Sequence, residues 1–149
     1  MSRPGARRSV GQLSAREWGL LAVALGALAW SAIGVAFVPF WRLMTSMRTK
    51  PAELNTAQIA VAIGEVRWAV RACARRVPWR AKCFEQALAA RWMLRQRGVA
   101  TMLHYGARQL PDGALIAHVW VTAGSADVIG YENKAEFREV SRFPSHGGA

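Results

Sequence analysis

A chain of 149 residues has room for one domain with a real core, or for a small domain with an appended helix. Its 52% apolar content excludes a mainly disordered chain, and its 2 cysteines are too few for a disulfide framework. The 20 Lys and Arg against 9 Asp and Glu give a net charge of +11, which favours an acidic partner or an anionic surface.

The basic residues are scattered and no nucleic-acid motif accompanies them, so a solvated basic surface is the reading and nucleic acid is not an expected partner. Neither a Cys-x-x-Cys pair nor a cluster of metal-ligand spacing occurs, so no metal and no other cofactor is expected. Residues 1–12, rich in Arg, Gly and Ser, read as a disordered basic tail. Ser14-Ala15-Arg16-Glu17 then forms a capping-box signature, with Ser14 at the N-cap and Glu17 at N3. From Trp18 to Trp41 there is no charged residue, a length that suffices to cross a bilayer, with tryptophans where an interfacial belt would put them. The run is Ala and Gly rich and basic on both flanks, so a buried or surface-lying helix fits it as well. It is too long for the apolar region of a signal peptide and lacks a well-placed cleavage site. The expected setting is therefore reducing and cytoplasmic, with contact through residues 18–41 to the inner face of the cell membrane left open.

Pro39 and the polar stretch Thr45 to Lys50 end this element, and Pro51 opens the next. Residues 53–76 carry Ile59, Ile63, Val66 and Val70 at helical spacing, and Cys73 continues the stripe as a core residue. Pro78 breaks the pattern. A further helix is predicted from Cys83 to Arg97, stopped by Gly98 after a basic last turn. The period then changes: strands are predicted over 99–107, 114–122 and about 127–131, with turns at Pro111-Asp112-Gly113 and Gly124-Ser125, and a fourth from Glu136 to Phe143. Helices first and an antiparallel meander after them define an α+β domain. The division is a tail over 1–12, a hydrophobic helix and linker over 13–50, and a domain over 51–149.

A nucleophilic cysteine must be a thiolate, and the start of a helix favours that form through its dipole and free N–H groups. Cys83 sits at such a start, with Arg80 and Lys82 beside it. Ala87, Ala90 and Leu94 line up with Cys83, while Phe84, Leu88 and Trp92 form a second apolar ridge, so this helix packs centrally against the sheet. A strand histidine can meet its first residue at the sheet edge. His118 is that histidine, with Ile116 and Trp120 on the same face of its strand. Thiolate and imidazole joined in this way are the arrangement a cysteine hydrolase requires, although a lone cysteine at a helix start is usually structural and a strand histidine usually a satisfied polar group. The other histidines, His104 on a strand and His146 in a Gly-rich tail, have no evident role.

The segment from Val77-Pro78-Trp79 through Lys82-Cys83-Phe84-Glu85-Gln86-Ala87-Leu88 to Arg97-Gly98-Val99 resembles the cysteine motif of lasso-peptide leader peptidases. These are the second B proteins of such pathways, in the transglutaminase-like (papain-like) superfamily. Ala117-His118-Val119-Trp120-Val121 is similar to that family's His-Ala-Trp motif, and Ile129-Gly130-Tyr131-Glu132-Asn133 with Phe137 is similar to its tail. The resemblance covers nearly the whole chain. It implies a cysteine peptidase core, helices on an antiparallel sheet, preceded by a hydrophobic helix. It also implies removal of the leader from a ribosomally made precursor, with a separate winged-helix protein holding the leader and an ATP-using cyclase taking the freed core. Many relatives have an Asp near the position of Gly130.

The third catalytic member is chosen from hairpin geometry. If the turn centres on Gly124, His118 lies across from about Gly130, and Glu132 falls diagonally on the same face at roughly 7–8 Å. Asn133 takes its place if the turn is one residue longer, and Asp127, which pairs nearer Val121 or Thr122, ranks third. The expected mechanism is acyl transfer, with Cys83 as nucleophile, His118 as base, Glu132 holding the imidazole, and the Cys83 N–H as oxyanion donor. Trp79 either shapes the neighbouring pocket or packs. Two other readings stand beside this one: a transglutaminase or amide-forming acyltransferase with the same Cys and His, and a catalytically silent membrane-attached scaffold.

Overall fold

The computed structural model describes residues 10–39, 42–43 and 52–144. The start of the basic tail, the tryptophan closing the apolar run, the polar stretch with Pro51, and His146 lie outside the described residues.

Three helices precede four strands. Helix α1 (Ala15–Phe37) opens with the predicted capping box: Ser14 N–H donates to Glu17 Oε2 at 2.8 Å, and Glu17 N–H to Ser14 Oγ at 3.2 Å. It buries the narrow face of Ala24, Ala27, Leu28, Ser31 and Gly34 against the other two helices. Small residues there let the backbones approach closely. Helix α2 (Thr56–Ala74) begins later than the apolar pattern alone indicates, because Asn55 caps it and Gln58 answers in a second capping box. Ile63, Val66, Val70 and Cys73 form its buried stripe, with Ile59 half-buried at the margin. Helix α3 (Cys83–Gln96) ends at Gly98, whose φ of +72° carries the chain into the sheet.

Strands β1 (Met102–Gln109), β2 (Leu115–Ala123), β3 (Ala126–Ile129) and β4 (Arg138–Pro144) form one antiparallel sheet in the order β3-β2-β1-β4. The order corrects the expected meander. β4 does not follow β3 but crosses to pair with β1, so β3 and β4 are the two edges. Strand β1 also starts later than predicted, because Val99 N–H is still bonded to Leu94 O at the end of α3. On the face turned to the helices, Leu103, Val119, Val121, Ala123 and Val128 join Leu88, Leu94 and the α2 stripe in one core. The fold is α+β: helices on one side of an antiparallel sheet, with an apolar N-terminal helix.

Candidate active site

The start of α3 is the least closed of the three helix starts. Pro78 ends the run of α2, and Gln86 Nε2 reaches back to donate to Ala81 O at 2.8 Å, fixing the segment that leads in. The N-cap residue is Lys82, which offers no side-chain acceptor to the first-turn N–H groups. Glu85 accepts from the Lys82 N–H at 3.3 Å, so one half of a capping box is present without its partner. Cys83 is the first helical residue and half-buried.

Cys83 opens onto a cleft of about 340 Å³. Val35 and Val38 at the end of α1 wall one side, Phe84 and Tyr105 another, and His118 borders it from β2. The His118 ring shares a sheet face with Trp120 and not with the helix-facing Val119 and Val121. Cys83 and His118 line the same cleft from α3 and β2, and among the described contacts no hydrogen bond joins thiol and imidazole. Such bonds are commonly long in a substrate-free site.

Around the ring the packing is specific. Trp120 lies 6.2 Å away at an interplanar angle of 24°, and Phe137 lies 5.0 Å away at 33°. Gly106, paired with His118 across the sheet, makes room for both: a Cβ there would stand 2.8 Å from Trp120 and 3.0 Å from Phe137. His118 Nε2 is 2.6 Å from the carbonyl oxygen of Gly130.

The three candidates for a third member lie elsewhere. Strand β3 stops at Ile129, two residues short of its predicted end, and a β-bulge falls between Val121 and Thr122. Glu132 sits in the turn beyond and pairs with Arg71 of α2. Asp127 pairs with Thr122 in the sheet, as the hairpin geometry indicates, and its carboxylate takes Lys134 Nζ at 2.6 Å. Asn133 precedes the short 3₁₀ turn Lys134–Glu136 and makes no side-chain cap bond. Trp79 packs against the core cluster.

The remaining Cys and His are accounted for by structure. Cys73 is buried, its thiol donates to Leu21 O at 3.3 Å, and burial pushes it up against the opposing charge of Arg76. His104 has both ring nitrogens bonded, to Glu139 at 2.8 Å and Thr122 Oγ1 at 2.9 Å, and it stacks on Trp120 at 5.3 Å. Burial alone would raise the Glu139 carboxyl, but hydrogen bonds and charge from His104 and Arg142 hold it below its ordinary value.

Two features escape the sequence reading. Arg67 and Arg71, one helical turn apart on α2, grip the segment after β3. Arg67 Nε donates to Val128 O at 2.8 Å, Arg67 also bonds Asp127 O, and both guanidinium groups lie over Tyr131 at 5.1 and 5.4 Å. Their helical spacing beside the Val66–Val70 stripe is the one signal that could have found them. The second is the end of α1, which walls the cleft as well as packing on the core.

A thiol at a helix start and a strand histidine thus line one cleft of an α+β domain, residue types that cysteine acyl transfer uses. A model of the transglutaminase-like superfamily matches residues 23–142, and the chain belongs to that superfamily, whose chemistry is that of cysteine peptidases and acyltransferases. Comparison with curated proteins and with solved structures gives no significant match.

Proposed function

We propose that the protein is a cysteine peptidase that removes the leader from a ribosomally made lasso-peptide precursor. The reading draws on the resemblance of the Cys83 and His118 segments to such peptidases. The observation that carries it is the shared cleft, where Cys83 starts an uncapped helix and His118 keeps Nδ1 without a hydrogen-bond partner among the described residues.

The steps follow from these groups. His118 takes the thiol proton, and the Cys83 sulfur attacks the carbonyl carbon of the last leader residue. The developing oxyanion is met by the Cys83 N–H at the helix start, where no intrahelical acceptor competes for it. His118 returns the proton to the leaving amine, the C–N bond breaks, and the core departs with a free amino terminus. Water, deprotonated by His118, then cleaves the thioester, giving the leader carboxylate and the restored thiol. Glu132 contributes through its pairing with Arg71, which holds the turn beside His118.

The partners in this reading are the precursor, a separate winged-helix protein that presents its leader, and the ATP-using cyclase that takes the core. A cytoplasmic location on the inner membrane face accompanies it. Helix α1 is long and apolar enough to cross a membrane, yet its inner face is part of the core, while Trp18, Leu25, Trp30, Ile33 and Phe37 stay exposed on the outer one. That division suits a helix lying along the surface better than one spanning it. Co-sedimentation of the full chain with anionic vesicles, absent with neutral ones, is the expected result; a failure to bind either removes the membrane from the scheme.

The decisive experiment is mass spectrometry of a lasso precursor incubated with the winged-helix partner and either the wild-type chain or Cys83→Ala. Cleavage at one leader–core bond, lost in the variant, is expected. Amide products formed with an added amine would favour the acyltransferase, and undiminished pathway function of Cys83→Ala would favour a scaffold.

A further inference from the structure

We propose that the third member of this site is the main-chain carbonyl of Gly130, and that the neighbouring carboxylates serve only to hold the segment that carries it. The proposal rests on the peptidase reading for its purpose, but its geometry stands without it.

A carbonyl oxygen can only accept a hydrogen bond, so the 2.6 Å contact from His118 Nε2 to Gly130 O puts the proton on Nε2. Nδ1 then carries the lone pair. This is the tautomer a thiol needs if Nδ1 is to take its proton. An amide carbonyl is the same kind of acceptor that the asparagine supplies in papain-like Cys-His-Asn sites, a neutral group that orients the ring without adding charge.

Position 130 is built for the main chain. Its φ is +76°, and a Cβ there would stand 2.6 Å from Val119 O and 3.2 Å from Trp120 Cα. No side chain fits, because the backbone must pass this close to β2 for its carbonyl to reach the ring. The role a relative gives to an Asp side chain near this position falls here to the backbone.

The acceptor is also fixed in place. On the near side of Gly130, Arg67 bonds the carbonyls of Asp127 and Val128; on the far side, Arg71 pairs with Glu132, and both guanidinium groups cover Tyr131 between them. Phe137 packs against the ring at 5.0 Å. Every acid near the histidine is meanwhile engaged elsewhere: Glu132 with Arg71, Asp127 with Lys134, Glu136 with Arg108, and Glu139 with His104 and Arg142. Gly130 is thus a positioning residue, acting through the histidine.

The test uses the full-length chain and needs no precursor for its main arm. Imidazole ¹⁵N NMR of the wild type is expected to show neutral His118 as the Nε2–H tautomer; an Nδ1–H tautomer would overturn the proposal. The rate of Cys83 alkylation by iodoacetamide should match the wild type in Asn133→Ala and fall only modestly in Glu132→Gln and Asp127→Asn, which loosen the segment that carries the carbonyl. It should fall most in Gly130→Ala. With precursor present, a fall in kcat of about 10²-fold or more at unchanged KM in any of the three side-chain variants, larger than that of Gly130→Ala, would make that residue the third member and end the proposal. If His118→Ala itself still cleaves, the peptidase reading has failed, whatever the tautomer shows.

Discussion

Helices α2 and α3 lie side by side in one core and are built by opposite habits. Helix α2 is closed at its start by Asn55 and Gln58, lays a regular apolar stripe on the core, and keeps its cysteine buried against Leu21 O. Helix α3 starts on Lys82 with no side-chain cap, places its cysteine in a cleft, and buries Arg91 in its middle. Where local rules agree, a helix is scaffold; where one sequence breaks them, function is the first place to look. The uncapped start and the cleft fit that lesson. Arg91, 1% exposed and with none of its three guanidinium nitrogens bonded among the described residues, has no part in the cleft and tests its limits.

The largest contrast is between the two thiols. Cys83 should react with iodoacetamide about 10²-fold faster than Cys73 in the native chain, and the two should converge in denaturant. Peptide mapping of the alkylated protein measures both at once. Equal slow rates would erase the difference between the helices and leave α3 without a reactive group.

Arg91 gives the next effect. Burial lowers it from its ordinary value to about 10, so in the window above pH 10 the unfolded chain holds a proton that the folded one has released. Stability from this group therefore rises with pH through that window, and at neutral pH the buried charge opposes folding in full. Arg91→Met should stabilise the protein by about 1–4 kcal/mol, read from denaturant midpoints, with no change in Cys83 alkylation. A loss of stability would mean that the guanidinium is held by something it does not touch in this structure.

Much of this was legible in the chain because it is local. Ser14 with Glu17, the stripe from Ile59 to Cys73, and Cys83 ahead of an apolar helix are patterns within a few residues. The superfamily match spans the last two of those segments. What depended on distance was not legible. Nothing in Arg138–Pro144 names β1 as its partner over β3, and nothing in Gly130 announces that its carbonyl meets a ring twelve residues back. Hairpin geometry alone extends β3 to about 131, whereas Gly130 turns the chain away from the strand just after Ile129. The grip of Arg67 and Arg71 on the segment around Tyr131 joins parts of the chain that no short window contains.

The smallest effect is the most direct test of the contrast. Asn55→Ala removes the acceptor for the Gln58 N–H and should cost about 0.5–2 kcal/mol, with Cys83 alkylation untouched, because the lost bond closes a helix whose start has no other task. Lys82→Asn does the reverse on α3. It supplies the missing acceptor, completes the box with Glu85, and should stabilise the chain by about 1 kcal/mol. The first-turn N–H groups that it engages are then no longer turned towards the Cys83 sulfur, and the positive charge of Lys82 is lost as well, so alkylation should slow several-fold. Lys82→Gln separates the two causes, since it removes the charge without being a good cap. If Lys82→Asn stabilises while alkylation stays at the wild-type rate, the open start of α3 is an unfilled cap and nothing more. If stability and reactivity move in opposite directions, the helix was left open for the sulfur.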